Sequence, residues 1–136
     1  MELDIKEKAS NKTKNHEKGA WGEDMACKYI ESVGYIILER NYRCPFGEID
    51  IVAIEDDIYV FIEVKMRSSI KYGVGSYAID YYKRNRIKNS AKYYMKTKNI
   101  TDIRFDVIEI TKYKKIYYGK VIKNAFWHWY KNKRII

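Results

Sequence analysis

The residues of this chain that could do chemistry lie in two short apolar segments, GEIDIV and FIEVK. Glu48, Asp50 and Glu63 supply three carboxylates, and Lys65 supplies an ammonium group. Isolated charge is expensive to keep in an apolar environment, so apolar strands do not normally contain such groups. Carboxylate oxygens are the ligands that a hard cation such as Mg²⁺ or Mn²⁺ takes. The pattern therefore predicts a divalent-metal site of the kind that a hydrolase uses.

The two segments belong to regions that have the composition and the length of β-strands. Residues 48–54 and 58–66 are rich in Ile, Val, Phe and Tyr, and a polar stretch, Glu55-Asp56-Asp57, separates them. A connection this short requires an antiparallel hairpin. A two-residue turn formed by the two aspartates is the simplest solution, although Asp-Asp is not among the favoured turn pairs.

This turn fixes which residues face each other. With a two-residue turn, Asp50 lies opposite Glu63 and Glu48 lies opposite Lys65, so all four share one face of the hairpin. Opposed carboxylates about 5 Å apart repel each other, and the Asp50–Glu63 pair therefore needs a cation. A three-residue loop would instead place Asp50 and Glu63 on opposite faces. The alternative interpretation is a solvated hairpin face with a chance salt bridge. The other face is expected to enter the core through Ile49, Ile51, Ile62 and Val64.

The composition predicts one soluble domain of 136 residues, with 46% hydrophobic residues and no apolar run long enough to cross a membrane. Residues 1–16 are polar and have no signal-peptide pattern, so we expect a flexible arm and a cytoplasmic protein. Cys27 and Cys44 have neither zinc-ligand spacing nor disulfide density, which indicates structural thiols.

The net charge of +9 is concentrated in two blocks. Residues 66–98 contain nine basic residues and one acidic residue, and residues 111–136 contain eight basic residues and none that is acidic. Segregated positive charge is typical of a protein that binds a polyanion. A randomly solvated surface explains this distribution less well.

Periodicity predicts an α/β fold with a central mixed β-sheet and the element order α-β-β-β-α-β-β. A 17–126 domain is expected to precede a basic aromatic tail, residues 127–136. Besides the hairpin, the pattern predicts helices at 17–33 and 80–97, a loop at 42–47, and strands at 35–40, 103–110 and 117–122. On the first helix, Ala26, Ile30 and Val33 form the apolar stripe. On the second, the stripe is Ile87, Ala91, Tyr94 and Met95.

Some polar and aromatic residues have two interpretations. Glu23 lies at the edge of the first helix's apolar stripe, where it could join the metal site, cap the first turn or pair locally. Aromatic residues among lysines can stack on bases or serve as core and rim residues. We assign Tyr81, Tyr82, Tyr93 and Tyr94 to structure and leave Trp127, Trp129 and Tyr130 open.

The spacing of Asp50 and Glu63-Val64-Lys65 resembles that of the PD-(D/E)xK nuclease superfamily, with Ile49 in place of the proline. The match extends beyond this motif, from Lys18 to Phe126. It includes the segments at 19–26, 34–43, 47–50 and 61–67, and continues through 83–91, 104–106 and 124–126. This wider pattern resembles the YraN-like family of small bacterial proteins, which are predicted endonucleases related to archaeal Holliday-junction resolvases.

The resemblance implies a restriction-endonuclease-like core in which a mixed sheet has helices on both faces. It implies that Asp50, Glu63 and Lys65 are catalytic, and that Glu23 joins them from the first helix. The ligands of Mg²⁺ (or Mn²⁺) would be the carboxylates of Asp50, Glu63 and Glu48 with the backbone carbonyl of Val64. The residues expected to contact nucleic acid are Arg43, Arg67, Lys83, Arg84 and Arg86.

The function these observations predict is Mg²⁺-dependent hydrolysis of phosphodiester bonds in DNA, selective for branched or junction structures. Phosphate contacts provide affinity without sequence information, which is why selectivity for structure is expected. Related resolvases suggest a homodimer by analogy. Two alternatives remain: a nucleic-acid-binding module with a residual nuclease site, and an interaction protein that binds polyanions.

Overall fold

The computed structural model describes residues 2–3, 16–67 and 81–125. Two helices and six strands are defined within them. The helices are α1 (His16–Ser32) and α2 (Tyr81–Met95), and the strands are β1 (Glu2–Leu3), β2 (Ile36–Cys44), β3 (Gly47–Glu55), β4 (Ile58–Arg67), β5 (Ile103–Tyr113) and β6 (Ile116–Ile122). Among these residues, no helix is both long and apolar enough to cross a membrane.

The strands form one sheet in the order β1-β6-β5-β4-β3-β2. β4 and β5 are parallel and the other neighbours are antiparallel. β4 and β5 can be parallel because α2 lies between them in the sequence. The helix carries the chain back to the end of the sheet at which β4 begins. The predicted α/β class, the mixed sheet and the element order are therefore confirmed, with the two-residue β1 added before α1.

Each face of the sheet is covered by one helix. On one face, α1 buries Met25, Ala26 and Ile30 against strand residues that include Ile51 and Ile62. On the other face, α2 buries the predicted stripe against β3, β4 and β5 through Ile87, Ala91 and Tyr94, with Met95 packed beside them. Both helices are therefore fixed to the sheet by apolar burial, which positions the polar side chains at their edges.

The turn between β3 and β4 has the predicted two residues. Asp56 and Asp57 have φ angles of 48° and 66°. Positive φ at both central positions is the requirement of a type I′ turn, which aspartate tolerates better than most residues. The Cα register runs from Glu55↔Ile58 to Ile51↔Ile62. The register derived from the sequence is therefore confirmed over this part of the hairpin.

One residue of the hairpin does not follow the predicted alternation. Ile51 and Ile62 lie in the α1 core, and Val64 packs against it, as expected. Ile49 is buried in the α2 core instead. The β3–β4 register has its last pair at Ile51↔Ile62, and strict alternation across the sheet does not hold past that pair. The prediction for Ile49 was wrong in its face, although the residue is buried.

The loop predicted at 42–47 was also wrong for most of its length. β2 continues to Cys44 and pairs with β3 through Tyr42↔Ile49 and Cys44↔Gly47. Only Pro45 and Phe46 connect the strands, and proline followed two residues later by glycine is a common tight-turn pattern. The end of β2 was missed because residues 39–43 are mostly polar. These residues are mostly exposed, since β2 is an edge strand of the sheet.

The chain termini test the predicted boundaries only in part. Within the expected arm, Glu2–Leu3 forms β1 and pairs with Tyr117 and Tyr118 of β6. Residues 4–15 of the arm and the aromatic tail 127–136 lie outside the described residues. Val33, assigned to the first helical stripe, follows the end of α1 and is exposed. Both cysteines are free thiols, as predicted.

Candidate metal centre

Three carboxylates from α1 and β3 converge at one point. Glu23, Glu48 and Asp50 each offer an oxygen atom, and these atoms all lie within 4.8 Å of one another. Glu48 and Asp50 alternate along β3, as the sequence predicted, and Glu23 reaches them from α1. The structure thus places Glu23 beside Glu48 and Asp50, and its role in a metal site stays a prediction.

The position of Glu23 depends on how closely α1 approaches the sheet. The preceding residue, Gly22, has no side chain, and a Cβ atom there would collide with Met66 of β4. The next residue, Asp24, accepts a hydrogen bond from Arg40 of β2 at 2.6 Å. A steric fit on one side and an ion pair on the other therefore hold Glu23 beside the carboxylates of β3.

Asp50 and Glu63 lie close enough for their charges to interact, although the β3–β4 register ends one pair before them, at Ile51↔Ile62. Burial and the negative charge of Glu63 raise the pKa of Asp50 to about 7. The amide of Val64 donates a hydrogen bond to Asp50 Oδ2 at 2.8 Å, which acts in the opposite direction. Burial also raises the pKa of Glu23, with a further contribution from Asp50, and a hydrogen bond from Asn41 opposes it. Ionising these groups together is unfavourable without a compensating cation.

Glu63 is buried, and its Oε1 atom forms an ion pair with Lys83 of α2. The side chain of Glu63 is only 7% exposed, whereas that of Lys83 is 49% exposed. Sequence reasoning assigned Lys83 to phosphate contacts. The structure instead brings its ammonium group to a predicted metal-binding carboxylate.

Lys65 lies on β4, next to Glu109 of β5 in the parallel register. Burial and the nearby charges of Arg67 and Lys83 lower the pKa of Lys65, and Glu63 and Glu109 oppose the shift. A lysine of lowered pKa is better able to exchange a proton near neutral pH.

Sequence reasoning missed Glu109. Its Oε1 atom lies 2.8 Å from Nε of Arg67, in an ion pair that is mostly buried. The sequence analysis assigned Arg67 to nucleic-acid contacts, but in the structure Arg67 pairs with a carboxylate on the neighbouring strand. The available signal was alternation along β5, because Ile103, Phe105 and Val107 face α2 and Glu109 is next in that series.

The site opens into a cleft of about 440 Å³ between β3, β4 and α2. The cleft is lined by three carboxylates, one exposed tyrosine, two cations and one isoleucine: Glu48, Asp50, Glu63, Tyr82, Lys83, Arg86 and Ile87. Tyr81 and Tyr82 are 66% and 79% exposed and their rings pack against each other with centroids 6.0 Å apart, so they are surface residues and not part of the core. Tyr94 is buried, and Tyr93 packs against Phe46 with ring centroids 6.0 Å apart.

The remaining residues predicted to contact nucleic acid have different environments. Arg43 is largely exposed, and its Nε lies 3.5 Å from Glu48, its cross-strand partner. Arg86 is exposed at the cleft, and Arg84 is partly buried on the same helix. Among the described residues, Lys83, Arg86 and Arg43 therefore lie near the carboxylates of the site, whereas Arg67 lies in a mostly buried ion pair.

A second polar cluster, which the sequence did not predict, lies on the α1 side of the sheet. Arg104 donates to Glu55, Asp106 and the hydroxyl of Tyr35 at 2.8 Å. Tyr35 in turn donates to Asp106 at 2.9 Å, and Lys123 donates to Glu55 at 2.8 Å. We call these five residues the Arg104 network. Two cations here balance two carboxylates.

The site therefore fits a hard divalent cation. Carboxylates of Glu23, Glu48 and Asp50 provide oxygen ligands at short mutual range, and Glu63 adjoins Asp50. Oxygen-only donor sets of this kind suit Mg²⁺, Mn²⁺ or Ca²⁺. Together the fold and the site define an α/β protein with a mixed sheet, a helix on each face and a carboxylate cluster at the β3–β4 hairpin.

Comparison with known proteins identifies the family. Residues 22–110 match the family described as "Uncharacterised protein family UPF0102", and the chain belongs to it. A UPF0102 protein of Clostridium botulinum strain Hall is 48% identical over 117 residues, covering 82% of this chain and 95% of the relative. A UPF0102 protein of Syntrophus aciditrophicus is 44% identical over 116 residues, covering 84% and 91%.

Proposed function

We propose that this protein is a Mg²⁺- or Mn²⁺-dependent endonuclease that hydrolyses phosphodiester bonds in DNA. The observation on which the proposal rests is the convergence of Glu23, Glu48 and Asp50 within 4.8 Å, next to Glu63 and Lys65. We propose further that the fold is of the restriction-endonuclease-like class and the chain a member of the PD-(D/E)xK superfamily. The helix on each face of the mixed sheet supports this assignment.

The residues would divide the work as follows. Asp50, Glu63 and Glu48 hold the cation with the backbone carbonyl of Val64, and Glu23 completes or orients this ligand set. When bound, a divalent cation supplies Lewis-acid polarisation of the scissile phosphate and stabilises the charge that develops on it. Lys65 orients the attacking water, and its lowered pKa helps it to take up the water's proton.

The DNA would lie along the cleft between the hairpin and α2. Arg86 and Lys83 line this cleft, and both belong to the basic block at residues 66–98. Cations on one helix follow a phosphate backbone and give affinity without reading bases. We therefore propose selectivity for DNA structure, such as branched or junction DNA, and not for sequence.

A nicking assay tests the activity. Supercoiled and branched DNA is incubated with Mg²⁺ or Mn²⁺ and with the wild type, Glu63→Ala or Lys65→Ala. Each substitution is expected to lower the rate about 100-fold or more, because it removes charge that acts on the transition state. A matched pair on α1 sharpens the test: Glu23→Gln lowers the rate, and Glu31→Gln, at an exposed position, leaves it unchanged. Cleavage retained by both Glu63→Ala and Lys65→Ala would contradict the mechanism.

The second candidate function is a DNA-binding module without cleavage. The observation in its favour is the ion pair between Lys83 and Glu63, which gives this carboxylate a partner within the protein. Salt-dependent binding to DNA with no metal-dependent cleavage of any substrate would select this function. Equal weak affinity for DNA, RNA and heparin would instead favour a general polyanion-binding interaction protein.

We further propose a cytoplasmic homodimer that acts on DNA. A two-fold enzyme suits a junction whose arms present two equivalent phosphates. Light scattering on the purified protein, alone and with junction DNA, measures the stoichiometry. One protomer per junction at saturation would contradict the dimer and leave the nuclease proposal intact.

A further inference from the structure

The ion pair between Lys83 and Glu63 has an unusual position for a lysine expected to contact DNA. Lys83 belongs to the first turn of α2, and its ammonium group reaches across the cleft to β4. Glu63 is almost fully buried, and removing its cation would leave a buried carboxylate without that partner. Lys83 is half exposed, and its stem leads from that contact towards solvent.

The ammonium group lies close to where a divalent cation would bind. Lys83 lines the same cleft as Asp50 and Glu48, and its charge also stabilises the ionised form of Asp50. A divalent cation held by Asp50 and Glu63 would draw on the same negative charge. Two cations a few ångströms apart in a partly buried cleft repel each other, so the lysine and the metal compete for Glu63.

We propose that Lys83 is a displaceable counter-ion, which neutralises Glu63 in the metal-free protein and moves to a DNA phosphate when the metal binds. The inference rests on the proposed function and assigns Lys83 a role within it. A lysine suits this exchange, because its ammonium is a compact charge on a flexible four-carbon stem. Its place at the start of α2, beside the exposed Arg86, puts the released group on the wall of the cleft.

This role makes metal binding and DNA binding mutually dependent. Metal binding releases the ammonium group of Lys83 for contact with DNA. DNA binding moves the same group away from Glu63, a ligand of the metal in this proposal. Linkage requires the two effects to be equal in free energy. A lysine that always contacted phosphate would add the same affinity with and without metal. A lysine that served only as a structural partner of Glu63 would add none.

The first measurement is Mn²⁺ affinity without DNA, by titration calorimetry, for the wild type, Lys83→Gln, Lys83→Arg and the exposed α2 control Lys92→Gln. Lys83→Gln is expected to bind Mn²⁺ about fivefold more tightly or better, because it removes the competing charge. Lys83→Arg keeps that charge and stays near the wild type, as does Lys92→Gln. Unchanged or weaker Mn²⁺ binding by a folded Lys83→Gln overturns the inference.

The second measurement is DNA affinity by fluorescence anisotropy, with and without Mn²⁺, in a Lys65→Ala background that prevents cleavage. Lys83→Gln is expected to weaken DNA binding only when Mn²⁺ is present, and to reduce the salt slope by about 1 in that condition alone. In Lys92→Gln, any change is the same in both conditions. An equal loss with and without Mn²⁺ identifies a permanent phosphate contact and overturns the inference.

The two proposals fail in different ways. Wild-type protein that binds no Mn²⁺ and cleaves no DNA contradicts the proposed function, and this inference with it. Wild-type protein that binds Mn²⁺ and cleaves DNA, while Lys83→Gln shows neither the tighter Mn²⁺ binding nor the metal-dependent loss of DNA affinity, overturns the role of Lys83 alone.

Discussion

Two clusters of ionisable side chains lie on this sheet, and they shift the pKa values of their carboxyl groups in opposite directions. In the Arg104 network, burial alone would raise the pKa of Glu55, but hydrogen bonds from Lys123 and Arg104 hold it below the ordinary value. In the candidate metal centre, formed by Glu23, Glu48, Asp50 and Glu63, burial and neighbouring negative charge raise the pKa of Glu23 and bring that of Asp50 to about 7. Burial of an acid therefore does not by itself distinguish the two clusters, whereas the balance of charge around each carboxylate does.

The contrast has consequences for stability. A balanced and fully hydrogen-bonded network holds elements together, and its loss leaves charges buried without partners. A cluster of repelling carboxylates lowers the stability of the metal-free fold, which is typical of sites that bind a ligand. Substitutions in the two clusters should therefore change stability in opposite directions.

The largest effect is expected from Arg104→Met. Methionine fills much of the volume of arginine but leaves Asp106, which is fully buried, without the cation of Arg104 and leaves Glu55 with Lys123 alone. Breaking a buried ion pair by removing one partner costs about 3 to 5 kcal/mol. Urea denaturation at pH 7 measures the loss, and Lys92→Met, at an exposed position of α2, serves as the control. A loss below about 1 kcal/mol would show that the network does not stabilise the fold.

The next largest effect is stabilisation by Mn²⁺. At a concentration of 100 times its dissociation constant, a ligand of the native state adds about 2.7 kcal/mol to the free energy of unfolding. The gain should be largest near pH 8 and small at pH 5, where protons compete for Asp50, whose pKa is about 7. Thermal unfolding with and without Mn²⁺ at both pH values measures it.

A matched pair of substitutions shows whether that gain arises at the carboxylates. Glu23→Gln should lose part of the Mn²⁺ stabilisation, and Glu31→Gln, an exposed glutamate of the same helix, should keep all of it. Equal stabilisation of both variants would indicate that the ion binds elsewhere on the protein.

Much of the site could be predicted from the sequence, because it depends on local periodicity. The hairpin register needed only the length of the turn, and alternation then put Glu48 and Asp50 on one side of β3. Glu23 could be proposed but not chosen, since its approach depends on how α1 packs at Gly22 against Met66. That contact joins positions far apart in the chain, and spacing along the sequence does not reveal it.

The Arg104 network could not be predicted for the same reason. Its residues come from the position just before β2, from β3 and β5, and from the segment after β6, and their contacts follow from the order of strands in the sheet. The sequence displayed Arg104 and Asp106 only as part of a family pattern. The end of the edge strand β2, residues 41–44, was likewise hidden, because an exposed strand lacks the apolar alternation by which strands are recognised.

Removing the charge of Asp50 should stabilise the metal-free protein. The pKa of Asp50 rises from 3.8 to about 7 on folding, so the native state binds more protons between these pH values. The free energy of unfolding therefore falls as the pH rises through this window. Asp50→Asn removes the titration, and its advantage should be near zero below pH 4 and reach about 2 kcal/mol above pH 8.

Urea denaturation from pH 4 to pH 8 in the presence of a chelator measures this difference. With saturating Mn²⁺ the order should reverse, because Asp50→Asn has lost a ligand that the wild type keeps. A variant that is less stable than the metal-free wild type at pH 8 would show that Asp50 is balanced in the fold, as Glu55 is in the Arg104 network.

The smallest effect is expected from Tyr35→Phe, which removes a single hydroxyl group from the Arg104 network. This hydroxyl donates to Asp106 at 2.9 Å and accepts from Arg104 at 2.8 Å, and Tyr35 is buried. Asp106 also keeps two direct hydrogen bonds from Arg104 and one from the amide of Asn124. Its charge thus remains compensated, and the loss should be about 1 to 1.5 kcal/mol.

Tyr29→Phe is the matched control, because Tyr29 lines the same surface pocket beside Tyr35 but is not a member of the network. A loss for Tyr35→Phe as large as that for Arg104→Met would mean that the hydroxyl group stabilises the network as much as the guanidinium does. Neither variant should alter Mn²⁺ affinity, since the Arg104 network and the metal centre share no residue. A change in Mn²⁺ affinity would show that the two clusters are coupled through the strands that join them.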